Sequence, residues 1–230
     1  MRLVLVGPPG SGKGTQAERL VKQFGLTVIG TGAMFRDHID RVTEIGKKAE
    51  SLIREGRLVD DTIVNDMVAE LFRSSARPVR FVMDGYPRTY SQAIAFDALL
   101  KQEMLALDAV INLTISDDEV VKRIGGRVCC SNPDCGVCFH TFARPPKVAG
   151  KCDVCGSALV VRDDDREETI RRRLGEFHKN TNALLEHYRR QNLVEDVAAT
   201  DPPDVIYNNI LAALRRRVPT DVPVGEGRAR

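Results

Sequence analysis

Short apolar runs alternate along the chain with longer segments in which apolar residues recur every three or four positions. The short runs predict β-strands, because nearly continuous Val, Leu, Ile and Phe suit strands that are covered on both faces. They lie at residues 3–6, 28–29, 80–84, 109–114 and 193–197. Since these runs alternate with helical segments, the chain is predicted to form a mostly parallel sheet of the α/β class.

The longer segments have the apolar spacing of amphipathic helices. The helix at residues 13–25 ends at Gly25, a residue preferred just after a helix C-terminus. The helix at residues 116–124 opens on Ser116 and two aspartates, as an N-capped helix does. The others are predicted at residues 43–56, 61–74, 165–190 and 205–217. Residues 218–230 are rich in Pro, Gly and charge without a period, so we expect a disordered tail there.

The composition restricts the class of protein. A chain of 230 residues can bury one good core, so we expect one domain with any further lobes inserted into it. A formal net charge of +2 gives no overall field for holding nucleic acid, so anion binding must come from local geometry. The N-terminal apolar run is too short for a signal peptide, and no segment reaches the roughly 18 apolar residues of a membrane span. We therefore expect a cytoplasmic protein.

The stretch GPPGSGKGT, residues 7–15, fits the GxxxxGK pattern and joins the first predicted strand to the first predicted helix. Its glycines allow backbone N–H groups to turn inward around an anion, the helix N-terminus adds its dipole, and Lys13 adds a point charge. The residue after Lys13 is Gly14, and the hydroxyl comes one step later at Thr15. A plain glycine-rich turn is the alternative, but the strand–loop–helix setting favours a phosphate-binding loop.

The stretch FVMDGYPRTYSQA places a carboxylate at the end of an apolar run. Asp84 would then lie at a strand C-terminus, where a magnesium ion and its waters can be held. Gly85 and Pro87 bend the chain so that Arg88 points back toward a phosphate. The alternative is a strand-to-turn junction in which Arg88 is a solvated charge, and the order of the two motifs along the chain favours the first interpretation.

All six cysteines fall in a single window of the chain. In a reducing compartment we expect no structural disulfide, so clustered cysteines indicate metal ligands or redox groups. Two CxxC pairs, Cys135 with Cys138 and Cys152 with Cys155, are a strong zinc signal. Glycine follows both Cys135 and Cys155, as it often follows the second cysteine of a metal knuckle where the chain turns tightly. Cys130 is therefore the best partner for Cys135, with the Cys135/Cys138 pair as the alternative.

The blocks GPPGSGKGTQ, GTGAMFR, EGRLVDD and FVMDGYPRTYSQA resemble those of the adenylate kinases, and the resemblance is collinear from Met1 to about Ala213. It implies the P-loop nucleoside monophosphate kinase fold, a five-stranded parallel sheet flanked by helices with two inserted lobes. Ala33 stands where the family usually has aspartate. The implied division is a core of residues 1–29, 60–126 and 166–217, an AMP-binding lobe of residues 30–59 and a zinc-bearing lid of residues 127–165.

The resemblance also implies two nucleotide sites. Thr31 would contact the base or ribose of AMP, Arg36 its phosphate and Gln92 the adenine edge. The implied AMP contacts are Thr31, Arg36, Arg57, Leu58, Val59, Gly85, Tyr86, Pro87, Arg88, Gln92, Arg162 and Arg173. The implied ATP contacts are Gly10, Ser11, Gly12, Lys13, Gly14, Thr15, Arg123, Arg127, Cys138 and Phe139.

The implied catalytic groups are mostly cationic because the charge on the transferring phosphoryl must be neutralised without a covalent intermediate. Each residue of a helix turns by about 100°, so Arg171 and Arg172 are expected on a solvated face while Arg173 turns inward. Asp84 would hold Mg²⁺ with ATP. The implied catalytic residues are Lys13, Asp84, Arg88, Arg127, Arg162 and Arg173.

The segment CGVCFHTFARPPKVAGKCDVCG is similar to the lid of zinc-bearing adenylate kinases. Four thiolates close a tetrahedron and leave no position for substrate, so the implied Zn²⁺ is structural. A rigid lid would deliver Arg127 and Arg162 and exclude water. The implied ligands are Cys130, Cys135, Cys152 and Cys155, with Cys129 and Cys138 as non-ligands.

The implied activity is reversible phosphoryl transfer from Mg-ATP to AMP, giving two ADP, by a monomer that binds neither nucleic acid nor membrane. A kinase for another nucleoside monophosphate, or one that uses GTP, is the first alternative, and Thr31, Gln92 and the zinc-type lid favour AMP and ATP. The second is a zinc-ribbon ATPase that binds nucleic acid. An aromatic content of 5% and a charge of +2 disfavour it, because such a surface needs a basic stripe interleaved with aromatics.

Overall fold

The computed structural model describes residues 1–75 and 77–217. The strands are β1 (Arg2–Val6), β2 (Thr27–Gly30), β3 (Phe81–Asp84), β4 (Ala109–Thr114), β5 (Arg127–Cys130), β6 (Cys138–His140), β7 (Leu159–Val160) and β8 (Val194–Ala198). The α-helices are α1 (Lys13–Phe24), α2 (Thr31–Asp40), α3 (Glu44–Arg54), α4 (Asp61–Arg73), α5 (Tyr90–Gln102), α6 (Asp117–Gly125), α7 (Glu167–Arg190) and α8 (Pro203–Arg215). A short 3-10 helix, Asp163–Asp165, precedes α7.

The described chain divides into two units by its internal contacts. The core unit comprises Met1–Met34, Asp60–Ile115 and residues 177–217, and the second unit comprises Phe35–Val59 and Ser116–Glu176. The division into a core and two lobes implied by the resemblance is finer and stays a prediction. The tail expected at residues 218–230 lies outside the described residues.

The core unit is built on a five-stranded parallel sheet with the order β2-β3-β1-β4-β8. Leu5 lies opposite Asp84 of β3 on one side and opposite Ile111 of β4 on the other. The central strands are buried and pack in one apolar cluster with side chains of α1 and α8. Because all the strands run in parallel, their carboxyl ends meet at one edge of the sheet, where ligands bind in folds of this type.

The five strands and six helices predicted from the apolar pattern are all present, with ends within two residues of those predicted. Helix α5 was not predicted, because its apolar side chains do not lie on one face. Phe96 is fully buried, whereas Tyr90 and Ile94 are nearly half exposed. Among the described helices, none has a stretch long and apolar enough to span a membrane.

The second unit contains a small antiparallel sheet with the order β6-β5-β7. Within it, Cys129 lies opposite Cys138, and Cys130 lies opposite Leu159. Because neighbouring residues of a strand point to opposite faces, Cys129 and Cys130 serve different faces of this sheet. The two-residue and three-residue strands β7 and β6 are too short to give a periodic signal, so the sequence did not predict them.

Candidate active site and metal centre

The predicted phosphate-binding loop connects β1 to α1 at the carboxyl edge of the parallel sheet. Gly10 and Gly12 have φ angles of 75° and 92°, in the left-handed region that glycine enters without steric cost. Lys13 is the first residue of α1, and its ammonium donates to the carbonyls of Gly7 and Pro8 at 2.7 and 2.8 Å. These bonds keep its positive charge against the loop.

Two polar side chains make this loop suited to a phosphate and a metal ion. Ser11 is fully buried, and its hydroxyl has no hydrogen-bond partner among the described residues. An unpaired buried hydroxyl is costly, and a phosphate oxygen would satisfy it. The carboxylate of Asp84 lies 3.6 Å from the position that a Cβ on Gly14 would take. A Cβ there would make ordinary van der Waals contact, so the distance shows only that Asp84 lies beside the first turn of α1.

Thr31 and Arg88 meet at the turn that follows β3. The Thr31 hydroxyl and the Arg88 Nε both donate to the carbonyl of Gly85, at 2.9 and 2.7 Å. Gly85 has a φ of 82°, and a Cβ on it would lie 2.9 Å from the Arg88 guanidinium. A side chain at position 85 would thus displace Arg88, which explains the glycine of the DGYPR stretch.

Gln92 belongs to a buried hydrogen-bond network on α5. The residue is 2% exposed, and its Oε1 accepts from the backbone N–H of Arg88 at 2.7 Å. Its Nε2 donates to Oδ1 of Asp61 at 2.6 Å. Tyr86, also buried, donates its hydroxyl to Asn65 at 2.8 Å. Burial and the charge of Asp61 raise the pKa of Tyr86 far above its ordinary value, so the hydroxyl stays neutral.

Three of the predicted arginines converge in the second unit. Arg127 donates through two nitrogens to the carboxylate of Asp165, one of the distances being 2.7 Å. Arg162 makes a similar bidentate pair with Asp164 at 2.8 and 2.6 Å. Arg173 donates to the carboxylate of Asp164 at 2.8 Å and to its backbone carbonyl at 3.0 Å. Bidentate pairing fixes the plane of a guanidinium, so these aspartates orient the arginines.

The electrostatics of this group favour the charged forms of Asp164 and Arg127. Burial opposes ionisation of Asp164, but Arg173, Arg162 and Arg127 outweigh it and lower the pKa of the carboxyl. Burial likewise opposes the charge of Arg127, and the hydrogen bonds and charge of Asp165 raise its pKa despite this. Both shifts strengthen the ion pairs that orient Arg127 and its neighbours.

The neighbours of Arg173 on α7 lie as the helical geometry predicts. Arg171 is mostly exposed and pairs with Glu167 one turn away. Arg172 is also exposed, but its guanidinium donates to the carbonyl of Glu55 at 2.9 Å. The expectation of a solvated face is thus right for Arg171 and incomplete for Arg172.

Other residues expected at the nucleotides also lie in the second unit. Arg36 is exposed on α2, and Arg123 pairs with Glu119 along α6 at 3.2 Å. Gly56 has a φ of 73°, and a Cβ on it would lie 2.8 Å from Thr169. This tight turn leads into the backbone of residues 57–59, which the resemblance places along the adenine. Their contact with AMP stays a prediction.

Four cysteines form a compact group of thiols in the second unit. The Sγ atoms of Cys130, Cys135, Cys152 and Cys155 all lie within 4.8 Å of one another. The distance between the Sγ atoms is 3.3 Å for Cys130 and Cys155, and 3.7 Å for Cys135 and Cys152. A regular tetrahedron of thiolates around zinc, with Zn–S bonds of about 2.3 Å, has sulfurs about 3.8 Å apart. The donor set therefore fits a Zn²⁺ ion.

The turns around this group have the tight geometry that was expected where glycine follows a cysteine. Gly136 and Gly156 follow Cys135 and Cys155 and have φ angles of 56° and 76°, which glycine alone adopts readily. The hydrogen bonds of Ser157 lower the pKa of Cys155 to about 6, which favours the thiolate that a metal requires, whereas burial raises the pKa of Cys130, whose proton a bound metal would have to displace. The structure thus brings Cys130, rather than Cys138, to the thiol group.

The other two cysteines correct one expectation. Cys129 and Cys138 are joined by a disulfide across β5 and β6, although we expected no structural disulfide. The pairing follows from register, because Cys129 lies directly opposite Cys138 and the Cα atoms are 4.0 Å apart. The expectation rested on the general rule that thiols stay reduced in a reducing compartment. The register of the two paired strands instead places these two thiols next to each other.

Phe139, which follows Cys138 in β6, is 5% exposed and packs in the apolar cluster of the small sheet. The Arg144 guanidinium lies over its ring, 5.6 Å from the centroid. Because Cys138 is bonded to Cys129 and the Phe139 ring is buried, their predicted contact with ATP would involve backbone atoms. That contact stays a prediction.

The comparisons with known proteins agree with one another. The model of the adenylate kinase family matches residues 5–193 of the chain. Over 216 residues, the chain is 47% identical to an adenylate kinase of Streptomyces coelicolor. The matched region covers 94% of this chain and 99% of that protein. It is 46% identical to an adenylate kinase of Streptomyces avermitilis, over 94% of this chain and 98% of that protein. It is 42% identical to an adenylate kinase of Archaeoglobus fulgidus, over 94% of this chain and 99% of that protein. The chain belongs to the adenylate kinase family.

Membership in the adenylate kinase family confirms the fold class and the resemblance inferred from the sequence blocks. Three carboxylates that position predicted site residues were not themselves among the predicted site residues. Asp164 and Asp165 hold the arginines, and the run of aspartates directly after Arg162 was the available signal. Asp61 holds Gln92 across 31 residues of chain, and no local pattern indicates that pairing.

Proposed function

We propose that this chain catalyses the reversible transfer of the γ-phosphoryl group of Mg-ATP to AMP, giving two ADP. The observation that carries the proposal is the loop between β1 and α1 with its buried, unpartnered Ser11 hydroxyl and the Lys13 ammonium. This arrangement suits the phosphates of a nucleoside triphosphate. Similarity to adenylate kinases over 94% of the chain identifies the acceptor class as AMP.

The loop would bind ATP through backbone N–H groups of residues 10–15. Lys13 would contact the β- and γ-phosphates, and Ser11 would donate its hydroxyl to a phosphate oxygen. Asp84, at the strand end beside Gly14, fits a magnesium ion because a carboxylate is a hard oxygen ligand. A magnesium ion held there would supply positive charge to the phosphates. No group of the protein is required as a covalent intermediate.

Arginines of each unit would contribute positive charge to the binding of nucleotide phosphates. A guanidinium has five N–H donors, so the pairs of Arg127 and Arg162 with carboxylates leave donors on their other edges. Arg173, Arg88 and Arg36 complete the proposed set, with Arg123 beside the ATP base. Fixed cations of this kind stabilise the transition state because they need little reorganisation during the reaction.

In the core unit, AMP would contact the turn after β3, while its contact with residues 57–59 of the second unit stays a prediction. Thr31, Gly85, Tyr86, Pro87 and Gln92 would form its base and ribose contacts. The four thiols Cys130, Cys135, Cys152 and Cys155 would hold one structural Zn²⁺, with no open position for substrate. A monomeric state and a cytoplasmic location remain predictions.

The proposal is tested with purified protein in an assay that couples ADP formation to an optical signal. We expect Lys13→Ala and Arg88→Ala each to lower kcat/KM at least 100-fold or so while the thermal unfolding midpoint stays near that of wild type. Lys22→Ala, which removes an exposed lysine of the same helix α1, is the matched control and should retain wild-type turnover. Near-native turnover of the Lys13 or Arg88 variant would refute the proposed catalytic site.

A further inference from the structure

The amide of Gln92 is held in one orientation. An amide has one acceptor oxygen with two lone pairs and two N–H donors, and in Gln92 each end is engaged once. The oxygen accepts from the N–H of Arg88 at 2.7 Å, and the nitrogen donates to Asp61 at 2.6 Å. By count, one lone pair of the oxygen and one N–H of the nitrogen remain for a further partner.

Asp61, the first residue of α4, is one of the two groups that fix the orientation of the Gln92 amide. An ionised carboxylate only accepts hydrogen bonds, so it requires the NH₂ end of Gln92 to face it. Its other oxygen, Oδ2, accepts from the Thr89 hydroxyl at 2.7 Å, and that hydroxyl accepts from the backbone N–H of Gln92 at 3.1 Å. Asp61, Thr89 and Gln92 therefore form a closed ring of hydrogen bonds that fixes the carboxylate as well as the amide.

The fixed orientation has a consequence for the base. Adenine offers an N–H donor at position 6 and an acceptor at position 1, whereas hypoxanthine and guanine offer an acceptor at position 6 and a donor at position 1. A base held in one place therefore requires opposite orientations of the same amide in the two cases. Flipping Gln92 would bring its oxygen against the Asp61 carboxylate and its NH₂ against the Arg88 N–H, so both bonds would be lost.

We propose that Asp61 is a positioning residue that sets the preference for a 6-amino purine over a 6-oxo purine by locking the amide of Gln92. The inference rests on the proposed function and deepens it, because it names the residue that fixes base specificity at the AMP site. Asp61 itself touches Gln92 and Thr89, and acts on the base through Gln92.

The test measures kcat/KM for AMP and for inosine monophosphate with saturating Mg-ATP. Asp61→Asn keeps the size of the side chain but can turn its own amide to match either orientation of Gln92, so only the hydrogen bond from the backbone N–H of Arg88 still opposes the flip. We expect the AMP:inosine monophosphate ratio to fall roughly tenfold, as one hydrogen bond to a charged group suggests. The change should appear in KM for the monophosphates, while KM for ATP and the thermal unfolding midpoint stay at their wild-type values.

Two controls separate positioning from a general effect. Asp60→Asn removes the same charge one residue earlier and keeps the oxygen that caps α4 at Thr62, so its ratio should equal that of wild type. In a Gln92→Ala background, Asp61→Asn should produce no further change in the ratio, because the coupling passes through Gln92. If Asp61→Asn does not fold, Thr89→Val removes the donor to Oδ2 and should shift the ratio in the same direction.

The proposal is overturned if the ratio for Asp61→Asn stays within about twofold of wild type, a difference below one hydrogen bond. It is also overturned if Asp60→Asn shifts the ratio equally, or if the shift persists without Gln92. Failure of the wild-type protein to phosphorylate AMP would instead refute the proposed function, so the two failures are distinguishable.

Discussion

The two sheets of this protein are stabilised by different means. The five-stranded sheet has fully buried apolar strands, with Leu3, Val82 and Ile111 at 0% exposure, packed against helices. The three-stranded sheet has only a small cluster around Cys130, Phe139 and Cys152. A segment of this size buries too little apolar surface to offset the entropy of ordering it, so we propose that a metal ion at the four thiols and the Cys129–Cys138 disulfide supply the missing stability. On this proposal the cysteines stabilise the part of the protein in which the apolar cluster is smallest.

The largest expected effect comes from removing one metal ligand. Cys152→Ser leaves three thiols, so we expect zinc to fall from about one ion per chain to nearly none and amide protection in β5, β6 and β7 to collapse. The five-stranded sheet should keep its protection, because its core does not depend on the thiols. Elemental analysis and hydrogen exchange measure both effects.

Cys138→Ser is the matched control for this prediction, since it removes the disulfide but no member of the four-thiol group. It should retain zinc. If Cys138→Ser loses zinc and Cys130→Ser retains it, then Cys138, and not Cys130, is the ligand that pairs with Cys135.

A cavity in the five-stranded sheet should lower the stability of that sheet without affecting zinc binding. Ile111→Ala removes a fully buried side chain of β4, and we expect the free energy of unfolding to fall by about 2–5 kcal/mol. Zinc content should stay unchanged. Urea unfolding measures the loss. Ile94→Ala removes a similar side chain that is 44% exposed on α5, so it should cost markedly less. Equal losses in the two variants would contradict the apolar account of this sheet.

The smallest expected effect concerns the pH dependence of the arginine cluster in the second unit. Because the arginines lower the pKa of Asp164, its contribution to stability is fully present above the ordinary value of about 3.9 and is lost as the pH falls through the lower folded value. Titration followed by carboxyl NMR should give a midpoint below the ordinary value. Arg173→Ala should raise that midpoint, and Arg166→Ala, which pairs with Asp163 instead, should not. An ordinary midpoint for Asp164 in wild type would contradict this account.

The difference between the two sheets also explains what could be predicted from the sequence. The core strands and most helices follow from local apolar periodicity, and the phosphate loop and thiol group follow from short spacings such as GxxxxGK and CxxC. The Cys129–Cys138 disulfide depends on the register of β5 and β6, which no single segment specifies. The bond from Gln92 to Asp61 likewise joins residues far apart in the chain, and depends on how α4 packs beside α5.

The central claim is tested most directly by incubating the purified protein with Mg²⁺ and each pairing of ATP or GTP with AMP, GMP, CMP or UMP, and following phosphorus-31 NMR. The account predicts that ATP and AMP are consumed in equal amounts to give only ADP, that ADP alone regenerates both, and that the other pairings react far more slowly. No transfer to AMP, or faster transfer to another monophosphate, would contradict it.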